Sequence, residues 1–294
     1  MLIDGVFAGG GVKAFAFIGA LQAMEEKNFT FSRIAGTSAG AIMGSLMAAG
    51  YTSKEIREMF DEVELKMFLD PTAWAKTFPH LLKWVGVYFG LGLYKGNKLE
   101  EWLANKLEAK GVRTFGDLPN DQLRVVAADI SKSRMLVLPD DLEHYGIIPD
   151  SFPVARAVRM SCSLPFFFQP VRLFDKGGAS SLVVDGGILS NFPMWLFRKH
   201  RSKRPLLGFQ LNPESADHDK NSITNALELY GSIFETMQKS HDSRYIDSVH
   251  ENNVVFIPIE TVKTTSFSLT DEDREKLVTL GYETTKQYLK TWSR

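Results

Sequence analysis

Residues 2–8, LIDGVFA, form a short and nearly unbroken apolar run, the pattern of a buried strand. The apolar positions that follow recur at helical spacing. Val12, Phe15, Ile18 and Leu21 share one face, Ala14, Phe17 and Met24 crowd beside it, and polar residues enter only at Glu25-Glu26-Lys27. Such a helix is expected to be mostly buried. A second short strand, Arg33-Ile34-Ala35, leads into GTSAG and then into an Ala-rich helix, AIMGSLMAAG, that stops at Gly50. Strand, glycine loop, helix, strand, glycine turn, helix is the opening of a parallel α/β sheet.

Further along, Thr52 and Glu55 form a capping box for a helix with Ile56, Met59, Phe60 and Val63 at 3.6-residue spacing. Residues 70–110 read as helices only, a helical insertion carrying Trp74, Phe78, Trp84, Tyr88, Phe89 and Tyr94 and then Leu99, Trp102, Leu103 and Leu107. The sheet resumes at 123–130 and 134–139, an expected adjacent pair. A helix near 153–161, a strand at 181–187, a helix started by Pro193 and a strand at 205–211 follow. A long helix from about 221 to 243, the strand NVVFIPI and a helix from Thr270 complete a pattern with no repeat or linker, so one domain is expected over 1–294.

Composition narrows the function classes. The 294 residues are 44% hydrophobic and 23% charged, with a net charge of −1, so no basic footprint for nucleic acid is present. The local cluster Arg198-Lys199-His200-Arg201-Ser202-Lys203-Arg204 is expected to be a solvated helix end. A single cysteine, Cys162, excludes an intrachain disulfide and a Cys-based zinc site and fits a reducing compartment. The N-terminus has no signal-peptide pattern, and no stretch approaches the roughly 18 uncharged apolar residues of a membrane span. The expected location is cytoplasmic, with peripheral membrane contact through the aromatic 72–95 region as an option against ordinary packing of cap helices.

The triple glycine Gly9-Gly10-Gly11 stands between a strand and a helix, where backbone N–H groups can approach an anion closely. A dinucleotide site requires a further glycine where Ala14 stands and an acid after the second strand, where Gly36-Thr37-Ser38 stand instead. A transient oxyanion is the remaining candidate. GTSAG is a G-x-S-x-G between strand and helix: Gly36 and Gly40 permit a sharp turn, and Ser38 stands at a helix N-terminus as a candidate nucleophile. For its base, six histidines are available, none directly after a strong strand. Asp185, which ends the apolar run LVVD before Gly186 and Gly187, is the stronger candidate, against the plain alternative of a turn-forming Asp-Gly. Burial beside Ser38 is expected to raise its pKa modestly, hydrogen bonds opposing the rise.

GGGVKA, GTSAG and DGG, in this order, together resemble the patatin-like phospholipase family over about residues 3–210. The segment 155–171, ARAVRMSCSLPFFFQPV, is similar to the family's stretch along the site. The resemblance implies a three-layer α/β/α sandwich around a largely parallel sheet, and lipid acyl-ester hydrolysis without metal or cofactor. It implies a dyad of Ser38 and Asp185, with the Gly9, Gly10 and Gly11 backbone as oxyanion hole and Lys13 at the family's basic position. Phospholipid or a related lipid ester is the implied substrate. Ala14 departs from the family's usual glycine. Two other readings stay open: a Ser-His-Asp hydrolase completed by His241 or His250, and a binding module that keeps the elbow without turnover.

Overall fold

In the computed structural model the first apolar run forms β1, Leu2–Phe7. The structure describes residues 1–71, 90–198, 204–212, 229, 231–234, 236–238, 251–259 and 269–292. β1 pairs in parallel with β2, Thr30–Thr37, on one side and with β9, Leu206–Asn212, on the other. β10, Val254–Pro258, extends the sheet beyond β9, and β4, Leu123–Asp129, extends it beyond β2, both in parallel. Three antiparallel pairings complete it: β5, Arg134–Leu138, and β8, Ser180–Asp185, each with β4, and β7, Val171–Phe174, with β8. The central sheet is therefore mixed but mostly parallel.

Alternation along the strands separates two cores. Ile3, Phe7, Ile34, Phe209, Val255 and Ile257 face the larger one, shared with helices α1, Phe15–Glu26, and α2, Ala39–Ala48. Val6, Ala8, Ala35 and Val254 face the other side, covered by Phe192, Met194 and Phe197 around the short helix α6, Trp195–Arg198. Helices thus lie on both faces, the layering a buried, mostly parallel sheet requires. On the larger face α3, Ser53–Asp61, starts at the Thr52–Glu55 capping box, and α4, Asn97–Ala109, buries Leu99, Trp102, Leu103 and Leu107. α5, Val154–Ser161, ends beside the sheet, and α7, Asp271–Thr291, packs along α1.

Several boundaries differ from the sequence reading. The 70–110 segment is not helical throughout: β3, Gly92–Tyr94, pairs in parallel with β6, Phe166–Phe168, in a separate two-stranded sheet. Three-residue strands whose partners lie some seventy residues apart in the chain leave no local period to read. The run 181–187 ends as a strand at Asp185, because Gly186–Ile188 form a tight 3-10 turn. Leu229, 231–234 and 236–238 are helical, inside the long helix expected at 221–243. Trp74, Phe78, Trp84, Tyr88 and Phe89, with most of the basic cluster, lie outside the described residues. Arg204 of that cluster is exposed and ion-paired to the buried Asp4.

The α1–α7 contact is made by two glycines. A Cβ on Gly281 falls 1.8 Å from the Ala16 carbonyl oxygen, and one on Gly19 falls 1.9 Å from that of Val278. Both contacts are with backbone, so neither neighbour can rotate away. Gly281→Ala is expected to push the helices apart and destabilise the chain by about 1–3 kcal/mol, read as a lower urea midpoint. An unchanged midpoint would show that the helices do not meet there.

Candidate active site

The meeting of Ser38 and Asp185 follows from the two edges of β4. One edge pairs with β5 over residues 125–129. The opposite edge is divided: β2 occupies positions 123–126 and β8, running the other way, occupies 127–129. The two strands therefore arrive tip to tip, with Thr37 opposite Val126 and Asp185 opposite Ala127. Ser38 follows Thr37 directly. Asp185, read from sequence as the end of an apolar run, is the end of an antiparallel strand that faces the end of β2.

Ser38 has φ 53° and ψ −124°, a conformation that costs a non-glycine residue about 1–3 kcal/mol. Contacts around the turn hold it there. A Cβ on Gly40 would lie 2.2 Å from the Phe7 carbonyl oxygen, and one on Gly36 would lie 2.4 Å from that of Gly40. Only glycines allow α2 to fold back so tightly on β1 and β2. The Thr37 hydroxyl donates to the Ser190 carbonyl at 2.9 Å, and the Ser38 N–H donates to the Ser161 hydroxyl at 2.8 Å.

Asp185 is 2% exposed. Its carboxylate accepts the Gly187 N–H at 2.8 Å, and the neighbouring Ser38 side chain also favours its charged form. Burial pushes its pKa from 3.8 up to about 6, and Ser38 and the Gly187 N–H hold it from going further. Gly186 lets the chain turn against β4, since a Cβ there would lie 2.3 Å from the Val126 carbonyl oxygen. Cys162, read from sequence only as a small buried residue, lies in the same site. Burial pushes its thiol pKa upward and the Asp185 charge adds to the rise, while Arg159 and a hydrogen bond with the Ser38 side chain oppose it.

The glycine loop runs against Ser38: a Cβ on Gly9 would stand 2.4 Å from the Asn191 side-chain oxygen and 3.3 Å from the Ser38 Cβ. The Gly9 N–H donates to the Asn191 carbonyl at 3.1 Å, so it is already engaged. Gly10 and Gly11 line a pocket together with Ser38 and Asp185. Lys13 lies half-buried in the following 3-10 turn, Gly11–Ala14, and Ala14, the departure from the usual glycine, turns its methyl toward this pocket. The other walls are apolar: Phe15 and Ile18 from α1, Ile42 and Met43 from α2, Phe60 from α3 and Leu99 from α4. From Ser38 to Met43 the pocket follows α2 for about 7 Å.

Among the described residues no group of three or more His, Cys, Asp or Glu side chains is placed to hold a metal ion. His144 is exposed on the surface beside Asp141. The other five histidines lie outside the described residues. Among the described residues no helix is long and apolar enough to cross a membrane.

The model of the patatin-like phospholipase family matches residues 5–198. The chain belongs to that family. It is 50% identical over 293 residues to YqhO of Bacillus subtilis, covering the whole of both proteins. It is 27% identical to triacylglycerol lipase ptl3 of Schizosaccharomyces pombe, over 65% of this chain and 38% of the lipase. Two solved structures share the fold. VipD from Legionella pneumophila has a TM-score of 0.60 at 21% identity, covering 99% of this chain and 67% of that one. ExoU has a TM-score of 0.52 at 16% identity, covering 98% of this chain and 53% of that one.

The raised pKa of Asp185 gives its own test. Between pH 4 and 6 the folded chain keeps a proton that the unfolded chain has released, so this group's contribution to stability falls as pH rises through that window. Above it the buried charge is carried in full. Asp185→Asn does not titrate there, so its melting temperature relative to wild type is expected to rise from pH 4 to about pH 6 and to level off above it. A difference that does not change with pH would refute the buried, elevated carboxylate.

Proposed function

We propose that this chain hydrolyses carboxylic ester bonds of lipids, with Ser38 as nucleophile and Asp185 as its base. One observation carries the reading: a serine held on strained backbone and a buried carboxylate stand side by side, at the meeting tips of β2 and β8, on the wall of an apolar pocket. Membership in a phospholipase family and similarity to a triacylglycerol lipase support a lipid ester as substrate.

In this reading the acyl chain lies among Phe15, Ile18, Ile42 and Met43 and presents its carbonyl to Ser38. Oγ attacks the carbonyl carbon as its proton passes to Asp185, which at a pKa of about 6 is a far better base than a free aspartate and is still ionised at pH 7. The oxygen that gains charge is received by the N–H groups of Gly10 and Gly11. Gly9 supports them differently, because its N–H already donates to the Asn191 carbonyl. Asp185 then returns the proton to the leaving alcohol, and a water activated by the same carboxylate releases the fatty acid from Ser38. The adjacency of Ser38 and Asp185 favours a dyad over a relay through histidine. We place the protein in the cytoplasm, meeting its lipid at a membrane surface.

Ser38→Ala is expected to abolish hydrolysis of a chromogenic short-chain ester, and its labelling by a fluorophosphonate, with the fold intact. Asp185→Asn is expected to lower kcat by about a hundredfold or more. The wild-type rate should rise with pH along a limb near 6. That limb lies close to the range of an ordinary histidine, so the asparagine variant decides between them: turnover near the wild-type rate would remove Asp185 from the chemistry.

A further inference from the structure

The segment after α5 touches both members of the proposed dyad, and it does so through groups that take no part in bond making. The Ser161 hydroxyl, fully buried, accepts the Ser38 N–H at 2.8 Å and donates its own proton to the Val126 carbonyl at 2.6 Å. Two residues on, the Ser163 carbonyl accepts the Asp185 N–H at 2.9 Å. Cys162, between them, lines the pocket together with Ser38. The segment is anchored in turn by Arg159, whose guanidinium donates to the Ser163 hydroxyl at 2.5 Å.

Val126 is the point on β4 where β2 has just ended and β8 has not yet begun. At such a seam the backbone ladder is interrupted, and its polar groups need other partners. Ser38 has the matching problem on the opposite side. Its backbone, turned to φ 53°, leaves both the strand ladder and the helix ladder, so neither can take its N–H. One hydroxyl that accepts from Ser38 and donates to Val126 closes both vacancies and ties the elbow to the strand that also registers Asp185.

We propose that Ser161 is a positioning residue for the hydrolysis, fixing the Ser38 backbone relative to Asp185 through the Ser161–Val126 link. The inference rests on the Ser38–Asp185 reading given above. Removing the hydroxyl leaves the Ser38 N–H and the Val126 carbonyl unpaired and frees the elbow to relax toward ordinary backbone angles, which draws Oγ away from the carboxylate. The pocket that binds the acyl chain does not involve Ser161, so ground-state binding is untouched.

The test compares Ser161→Ala, Ser161→Thr and Thr37→Val with wild type and with Ser38→Ala. Ser161→Ala should lose about 10- to 100-fold in kcat with KM within about twofold, and its Ser38 amide should exchange with deuterium faster than in wild type. Ser161→Thr, which keeps the hydroxyl, should recover most of the rate. Thr37→Val cuts the neighbouring bond to Ser190 but leaves the Ser161 link, so it should lower stability with a much smaller loss of kcat. A folded Ser161→Ala with wild-type kcat, or with an unchanged Ser38 amide, would overturn this inference alone, given an inactive Ser38→Ala. Equal losses of kcat in Ser161→Ala and Thr37→Val at matched stability would reduce Ser161 to a packing residue. Equal rates in wild type and Ser38→Ala would overturn the hydrolase reading itself, and this inference with it.

Discussion

A single edge of β4 receives two strands, and the candidate site is the place where they meet. β2 takes the first half of that edge and β8 the second, from opposite directions. Neither can advance without displacing the other, so each must leave the sheet at the same level. β2 leaves into the Ser38 turn and α2, while β8 leaves into the Gly186–Ile188 turn. In an open α/β sheet a crevice forms where the chain switches direction outside the strand ends. Here the switch brings two tips together rather than two parallel loops, which places a hydroxyl against a carboxylate with no connecting side chain between them.

That arrangement is unfavourable locally and is held by its surroundings. A non-glycine residue at φ 53° and a carboxylate 2% exposed each destabilise the folded state. The opposing contributions come from close backbone packing at Gly36 and Gly40 and from the large core around α1 and α2. The same core supplies the pocket walls, so the residues that keep the elbow strained are continuous with those proposed to hold the acyl chain. Strain stored at a functional site and balanced by packing elsewhere is the usual form of a stability and activity trade.

The parts legible in the sequence are those whose physics is local. Ser38 between Gly36 and Gly40, the glycine loop at 9–11 and the capping box at Thr52 all announce themselves within a few residues; the structure sets Ser38 at the start of α2 and the capping box at the start of α3. Asp185 was legible as a residue but not in its geometry, because whether a strand runs parallel or antiparallel to a distant partner leaves no mark on its own alternation. Ser161, Cys162 and Ser163 were legible as part of the 155–171 stretch but not in their individual roles, for a related reason. A buried serine at the end of an apolar helix reads as a small core residue, and only the gap in the β4 ladder gives its hydroxyl a purpose. β3 and β6, three residues each, were too short to show a period.

The pKa of Asp185 connects binding to chemistry through water. Its elevation comes first from burial, and Ser38 and the Gly187 N–H only limit it. In the proposed reading an acyl chain packed beside Phe15 and Ile42 displaces solvent from the pocket, which raises the penalty for the charged carboxylate and strengthens its interaction with the Ser38 hydroxyl. A proton shared more closely between the two oxygens is nearer to transfer when the carbonyl arrives. Asp185 is thus the group through which an apolar ligand, with no polar contact of its own along the chain, can alter the reactivity of Ser38.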